Sequence, residues 1–488
     1  EELERLWKVI LLNQFHDIIP GSSVHEVYQD SAREYAELES TGEKMVHEAV
    51  SKIAEKLQTE GMENPVALFH QADTTTEARL PWDKEEGPAS LRCGAENLPV
   101  QVVDDIYGKA LVFPVPAAAR GAVAVGDLSS KPAGSGSRLR AGTRRIENEE
   151  FIVRFDSHGN ITSITTQDEE PLEFIQPGEL ANVLHVLDDK PLFWDAWDTD
   201  IYSQETAQAI VRSESFRVVE KGPVRAAVEV VKKFGASTVR QRISVGPTPG
   251  IRFDTYVDWH ETNKMLKMAF PLNVHSDYAS FDIQFGHVRR PTHRNTTWDL
   301  ARFEVCAQKW ADLSEGGHGA ALINQGKYGY DVLGNVLRLS LLKSPKAPDP
   351  VCDMGEHRFT YVLYPHFDQV AAGRVVAASY AVNAKPWVVP IKADGGESIQ
   401  LPPFVRVNSR NLVVESVKKA EDSDRVIVRL YECHQTRGKA HVELATGVKK
   451  AWLCNLEEVT QGDPLEVTAN GVTVEYKPFE IITLMLEV

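Results

Sequence analysis

The sequence predicts an α+β multidomain protein: an N-terminal helical bundle segment, then mainly antiparallel β-sandwich domains, one a large super-sandwich with smaller β domains beside it. Three observations carry this. At 488 residues the chain is too long for a single core. Its first 57 residues repeat apolar positions at helical spacing. Beyond about Glu60 the pattern changes to short alternating runs punctuated by Gly, Pro and Asn, with no helical stretch between them.

Taken in order, Leu6, Val9, Ile10, Leu12 and Phe15 follow helical spacing, and Pro20-Gly21 breaks the pattern. Ser23 to Glu26 reads as a capping box opening a second helix through Val27, Tyr28, Ala32, Tyr35 and Leu38. After Gly42 a third periodic stretch carries Val46, Val50, Ile53 and Leu57. Among the strands, Ile251, Phe253, Thr255, Val257 and Trp259 occupy one face, with Arg252, Asp254 and Asp258 opposite. Ser129 to Gly142 ("SSKPAGSGSRLRAG") is the clearest flexible segment, and "NAKPWVVPIKADGGES" from Asn383 marks a second boundary. The expected division is 1–58 helical, 59–130 a small β domain, 147–385 a large β-sandwich and 386–488 a C-terminal β domain.

A formal charge of -17 argues against nucleic acid or an anionic membrane as the main partner. The apolar runs are too short to span a membrane, and no secretory signal segment is evident. Five scattered cysteines, an odd number without a CxxC pair, suit a reducing compartment, so the expected localisation is cytoplasmic. The chain lacks an initiator Met and opens inside an uncapped helix, as a piece of a longer protein would.

The chemistry-bearing candidates begin with His16-Asp17, at the end of an apolar helix. A neutral imidazole there suits zinc or a similar cation, and the neighbouring carboxylate suits substrate hydroxyls. The plainer alternative is a polar pair that caps its own loop. Two side chains cannot hold a metal by themselves, and no HxH or HExxH pair lies near. "FWDAWDTDIY" crowds Trp194, Asp195, Trp197, Asp198 and Asp200 into ten residues. Its rings would stack on sugars and its acids accept hydroxyls, or the loop is a Trp-anchored core turn with solvated acids. "KYGYD" offers Tyr328, Tyr330 and Asp331 beside a glycine. His293 to Asn295, Glu356-His357 and His366 read as satisfied structural groups. A phosphohydrolase of the HD type would need further His and Asp ligands on adjacent helices, and His25 and His47 have no evident acid partner. A non-catalytic carbohydrate-binding β-sandwich protein is the other alternative.

"LWKVILLNQFHDIIPGSSVHEVYQDSAREY", "KPLFWDAWDTDIYS", "QFGHVRRPTHRNTTWDLARFEVCAQKWADLSEGG", "KYGYDVLGNVLRLSLLKSPKAPDP", "GEHRFTYVLYPH" and "NLVVESVKKAEDSDRVIVRLYE" follow one another here. Together they resemble glycoside hydrolase family 38 α-mannosidases, cytosolic branch, over nearly the whole chain. The resemblance implies a C-terminal fragment lacking the N-terminal catalytic α/β domain. That missing partner would carry the nucleophile, the acid/base and the other metal ligands, so no catalytic residue is placed on this chain. It further implies a retaining, metal-dependent α-mannosidase acting on mannose-containing oligosaccharides, zinc being the expected metal and cobalt the alternative. His16 becomes the metal ligand and Asp17 its substrate-side neighbour; Trp194, Asp195, Trp197, Asp198, Tyr328, Tyr330 and Asp331 become substrate-facing. A homo-oligomer is a family expectation. Alone, the chain is expected to be inactive.

Overall fold

The computed structural model describes residues 2–70, 72–118, 121–133, 138–367, 369–370, 373–392 and 400–488. Antiparallel strands dominate it and helices are few, the class expected. Within the segment 129–142 expected to be flexible, residues 134–137 lie outside the described residues, as do 393–399 of the expected second boundary.

Helix α1 spans Glu2–Asn13 and α2 spans His25–Ala54. The two helices expected on either side of Gly42 are one continuous rod. Gly42 meets no heavy atom within 4 Å of an added Cβ, and one glycine costs only about 1 kcal/mol in a 30-residue helix. The expected capping box is also absent, because Val24 takes the cap position without a side-chain bond. The Ser23 amide instead donates to the Tyr28 hydroxyl at 2.8 Å. At its far end α2 buries Val50 and Ala54, with Leu57 just beyond it, against Ala67, Phe69, Val123 and Val125 of the small β unit.

That unit is built on Pro65–Phe69 paired with Val123–Ser129, above a three-stranded sheet of Thr76–Pro81, Gly108–Val115 and Gln101–Asp105. Residues 387–390, assigned above to the start of the last domain, pair instead with Pro65–Phe69. The run is apolar and Val389 is buried in that cluster, so the chain returns to the small unit before building its last one.

The large sandwich packs a nine-stranded sheet on a six-stranded one. Inward residues of both sheets form one core, in which Phe253 stacks on Tyr361 at 4.9 Å and meets Phe270 edge-on at 5.7 Å. The alternation at Ile251–Trp259 is as expected, but Arg252 and Asp254 of its polar face are buried too, while Asp258 stays half-exposed. Asp254 is fully buried against Arg252, whose Nη2 lies 2.8 Å away.

The small unit covers that face through a charged network centred on Arg225, 1% exposed. Its guanidinium donates to Glu220 (2.6 and 2.9 Å), Glu77 (3.1 Å) and Asp105 (2.7 Å). Arg79 holds Asp105 from the other side at 2.8 Å, and Arg242 donates to Glu220 at 2.7 Å. Burial alone would raise the Asp105 carboxyl, but Arg79 and Arg225 hold it well below the usual carboxylate range.

Elsewhere in the sandwich a lysine is buried without an acid in contact. Lys232 donates to Asn160 Oδ1 at 2.6 Å and to the Ile210 carbonyl at 2.7 Å, and burial pushes its amine down to about 8. Between that value and the ordinary lysine range the unfolded chain binds the extra proton, so stability rises with pH across this window. Urea midpoints of the wild type and Lys232→Met at pH 8 and 10 check this. The wild type should gain on the variant as pH rises; parallel slopes would remove the lysine from the account.

Two further helices follow: α3 (Thr297–Ala301), closed by a capping box between Thr296 and Asp299, and α4 (Val375–Asn383). Helix α4 was not legible as a helix, being apolar on most sides. It buries Val375, Val376, Ala378 and Val382 between the nine-stranded sheet and a final sandwich of two sheets covering 405–487.

Candidate functional site

His16 and Asp17 sit in the turn that follows α1. The His16 side chain is 67% exposed, with Nε2 3.2 Å from Asp17 Oδ2 and its ring 4.4 Å from that of Phe15. The turn beneath it is fixed. The Asp17 carbonyl accepts from the Tyr28 hydroxyl and the Ser22 amide, both at 3.1 Å, and Asp17 Oδ1 accepts from Ser22 Oγ at 3.1 Å. The imidazole therefore stands exposed just beyond α1, beside the Asp17 carboxylate and the Phe15 ring. Among the described residues, no three His, Cys, Asp or Glu converge to hold a metal. This chain supplies one imidazole and one adjacent carboxylate, which fits part of a zinc shell and not the whole of one.

Around the pair lies bare apolar surface. Leu3, Trp7 and Leu11 recur every fourth residue along α1, more than half exposed, and Phe15 and Ile19 continue beyond its end. The i, i+4, i+8 spacing was in the sequence, but nothing there said that it faces away from α2.

The His16 turn connects to the tryptophan loop through the intervening segment 346–353. His25 Nδ1 lies 3.2 Å from Asp349 Oδ2, so His25 has an acid partner 324 residues away, one that no local reading would find. From the same segment the amides of Lys346 and Ala347 donate to Asp195, which also accepts from Asn263 Nδ2 at 3.0 Å. Asp195 is thus a brace, with its carboxylate committed to the protein. Removing it in Asp195→Ala leaves those donors unpaired at a cost of about 1–3 kcal/mol. Faster proteolysis of the 189–200 loop should accompany the loss, and an unchanged loop would show the bonds to be incidental.

Trp194 (74% exposed) and Trp197 (56%) project from this loop beside Phe193. The Trp194 carbonyl accepts the amides of Trp197 (2.8 Å) and Asp198 (2.9 Å), which sets the two indoles on one tight turn with Trp194 at φ 59°. Asp198 is exposed. Lys343 ties this loop down by donating to Thr199 Oγ1 at 3.0 Å and pairing with buried Asp189 at 3.2 Å.

The KYGYD residues are not gathered with these. Tyr328 is 53% exposed and lines a small cleft with Phe285, Lys309 and Tyr431 against the final sandwich. Tyr330 is fully buried, its hydroxyl donating to the Leu322 carbonyl at 3.0 Å and accepting from Asn324 Nδ2 at 2.8 Å. Asp331, 2% exposed, is held by Lys267 (2.7 Å) and Arg338 (2.7 Å). Strand alternation sends Tyr330 into the core and Asp331 to the opposite face, where Lys267 and Glu304 cover it. Neither is open to a ligand. His366 is likewise spoken for, at 2.6 Å from Asp312, and Glu356 pairs with Arg358 at 2.9 Å. Among the exposed aromatics that the sequence did not single out are Tyr202 (68%) and Trp298 (75%). Their segments are joined by Gln204, which accepts from Arg294 at 2.5 Å and donates to the Phe303 carbonyl at 3.1 Å.

The chain thus combines a helical pair bearing an exposed His-Asp turn with a two-sheet super-sandwich and a further sandwich. Residues 1–53 match the alpha mannosidase middle domain, 146–351 the glycosyl hydrolases family 38 C-terminal domain, and 411–484 the glycosyl hydrolases family 38 C-terminal beta sandwich domain. The chain belongs to glycosyl hydrolase family 38. Alpha-mannosidase 2C1 of Mus musculus is 35% identical to it over 497 residues, covering 99% of the chain and 45% of that protein. Alpha-mannosidase G of Dictyostelium discoideum is 32% identical over 520 residues, covering 99% and 48%. The crystal structure of an alpha-mannosidase from Enterococcus faecalis V583 shares the fold, with a TM-score of 0.78 at 17% identity over 99% of the chain and 63% of that one. The chain therefore spans about half the length of the curated relatives it matches.

Proposed function

We propose that this chain is the C-terminal half of a retaining, metal-dependent α-mannosidase that removes terminal α-linked mannose from oligosaccharides in the cytoplasm. The observation that carries the reading is the exposed His16-Asp17 turn, bordered by the bare apolar face of α1. A site open on that side is completed by a second body, and in relatives of twice this length that body would be the preceding α/β half. His16 would supply one ligand to zinc, or cobalt, with the others coming from that half. The metal would hold vicinal sugar hydroxyls. Retention needs two carboxyl groups about 5 Å apart, and no pair on this chain is assigned to that work. What this chain contributes is positioning. Asp17 accepts a sugar hydroxyl beside the cation, and Trp194, Trp197 and Asp198 offer rings and an acid to the rest of the glycan. Tyr328 belongs to this reading as a more distant contact. In domain terms we propose 1–58, 59–130 with 387–401, 147–385, and a last unit from about 405.

The exposed indoles also favour a second reading, a carbohydrate-binding β-sandwich protein with no catalysis. One experiment separates the two. The 488-residue chain and the same chain joined to an α/β half are assayed on an α-mannoside with and without zinc. Turnover is expected from the joined protein alone, because a covalent route needs the nucleophile. Turnover by the chain alone, or none by the joined protein, would overturn the proposal.

A further inference from the structure

The final sandwich meets the rest of the molecule along a seam whose chemistry differs from the other interfaces. Phe479 inserts its ring where Gly286 has no side chain; a Cβ there would lie 2.7 Å from it. Tyr431 meets Phe285 edge-on at 5.7 Å, and its hydroxyl lies 3.2 Å from that of Tyr380 on α4. Trp310, Ile323, Val362 and Cys433 complete the apolar contact. Two imidazoles stand in it. His287 lies edge-on to Phe479 at 5.0 Å and 5.8 Å from Trp310; His434 follows the buried Cys433. The Nδ1 atoms of both, and the indole nitrogen of Trp310, are sealed from solvent and have no hydrogen-bond partner among the described residues.

We infer that this seam is an acid-labile joint: at mildly acidic pH His287 and His434 take up protons and the final sandwich undocks as an intact body.

The groups facing the two rings decide the sign. Around His287 are the Cys433 backbone, which hydrogen-bonds the ring, and Glu432, both of the final sandwich, Asp312 of the nine-stranded sheet and Arg289 on its own strand. Around His434 are Glu432, Arg410 and His287 itself. Glu432 is the main acid against both, but it is engaged. Its Oε1 accepts from the His434 amide (2.8 Å), the Thr436 amide (3.0 Å) and the Thr436 hydroxyl (2.9 Å), and its Oε2 from the Phe479 amide (2.9 Å). Asp312 is occupied by His366 and Ser314. Burial prevails over these acids and lowers both imidazoles below the ordinary histidine value. The docked form therefore binds fewer protons than the undocked one, so docking is strongest above about pH 6.5 and weakens as pH falls through and below it. The final sandwich has its own core, including Val428, Leu430, Val442 and Leu484, so it has reason to survive undocking.

The test is amide exchange on the 488-residue chain at pH 7.5 and 5.5, corrected for the intrinsic rate. Strand Trp310–Ser314 and residues 431–434 are expected to lose protection by about tenfold or more at the lower pH, while Val428 and Leu484 keep theirs. In His287→Phe/His434→Gln the step should vanish. Equal protection at both values, or a step of the same size in the double variant, would overturn the inference, as would simultaneous loss at Val428 and Leu484. Gly286→Ala serves if the double variant does not fold. Its added methyl expels Phe479 and opens the seam at either pH, so a step as large as the wild type's there would also count against the joint.

Discussion

Replacing Arg225 by alanine is expected to cost about 3–5 kcal/mol of stability, the largest effect anticipated for a single substitution in this chain. The guanidinium is the shared counter-ion of Glu77, Asp105 and Glu220, whose side chains are all nearly closed to solvent. Arg79 can still neutralise Asp105, and Arg242 can still neutralise Glu220. Glu77 loses its direct ion pair, with Arg252 and Lys385 left near enough to act on its charge between the two sheets. Because Glu77 and Asp105 belong to the small β unit and Glu220 to the sandwich, the damage falls on the joint between them. Denaturant unfolding followed by amide exchange on Gln101–Asp105 should show the small unit releasing first, in a transition separated from that of the sandwich. A variant that stays within 1 kcal/mol of the wild type and still unfolds in step would mean that apolar packing, and not charge, joins the two.

The second large effect concerns the proposed cation. In the chain joined to its α/β half, His16→Ala is expected to lower both bound zinc and kcat/KM. The loss should exceed the roughly 10–100-fold that an outer partner of a metal site costs. Asp17→Asn should behave differently, retaining the metal while raising KM, since that carboxylate is placed for the sugar. Metal content by elemental analysis separates the two cases without relying on turnover. Full zinc loading in His16→Ala would remove His16 from the ligand set, whatever happened to activity.

Much of this was legible before any coordinates. Alternation at Ile251–Trp259 foretold a strand and its buried face, because a two-residue period leaves little freedom. The exposed His16 was foreshadowed by the Pro20-Gly21 break just beyond it. Other features depend on partners distant in sequence. Asp195 looked like a sugar acceptor among tryptophans, yet its donors lie 68 and 151 residues away. Tyr330 and Asp331 looked like a polar turn, but the first lies under the opposite sheet and the second beneath Lys267. Helix α4 has apolar residues on most sides, so no periodic face betrayed it. The return of Trp387–Pro390 to the small unit is a matter of topology, on which local composition is silent.

Because α2 runs unbroken from His25 to Ala54, it acts as a strut about 45 Å long. Tyr28 near one end clamps the turn that carries His16, and Val50 and Ala54 at the other are seated in the small β sheet. The angular phase between these anchors is therefore fixed by residue count. Deleting one residue between Tyr28 and Val50 would swing Tyr28 by about 100° relative to the sheet, whereas removing seven would nearly restore its heading. Length variation in this helix should thus come in near-whole turns, even where its exposed side chains are otherwise replaceable.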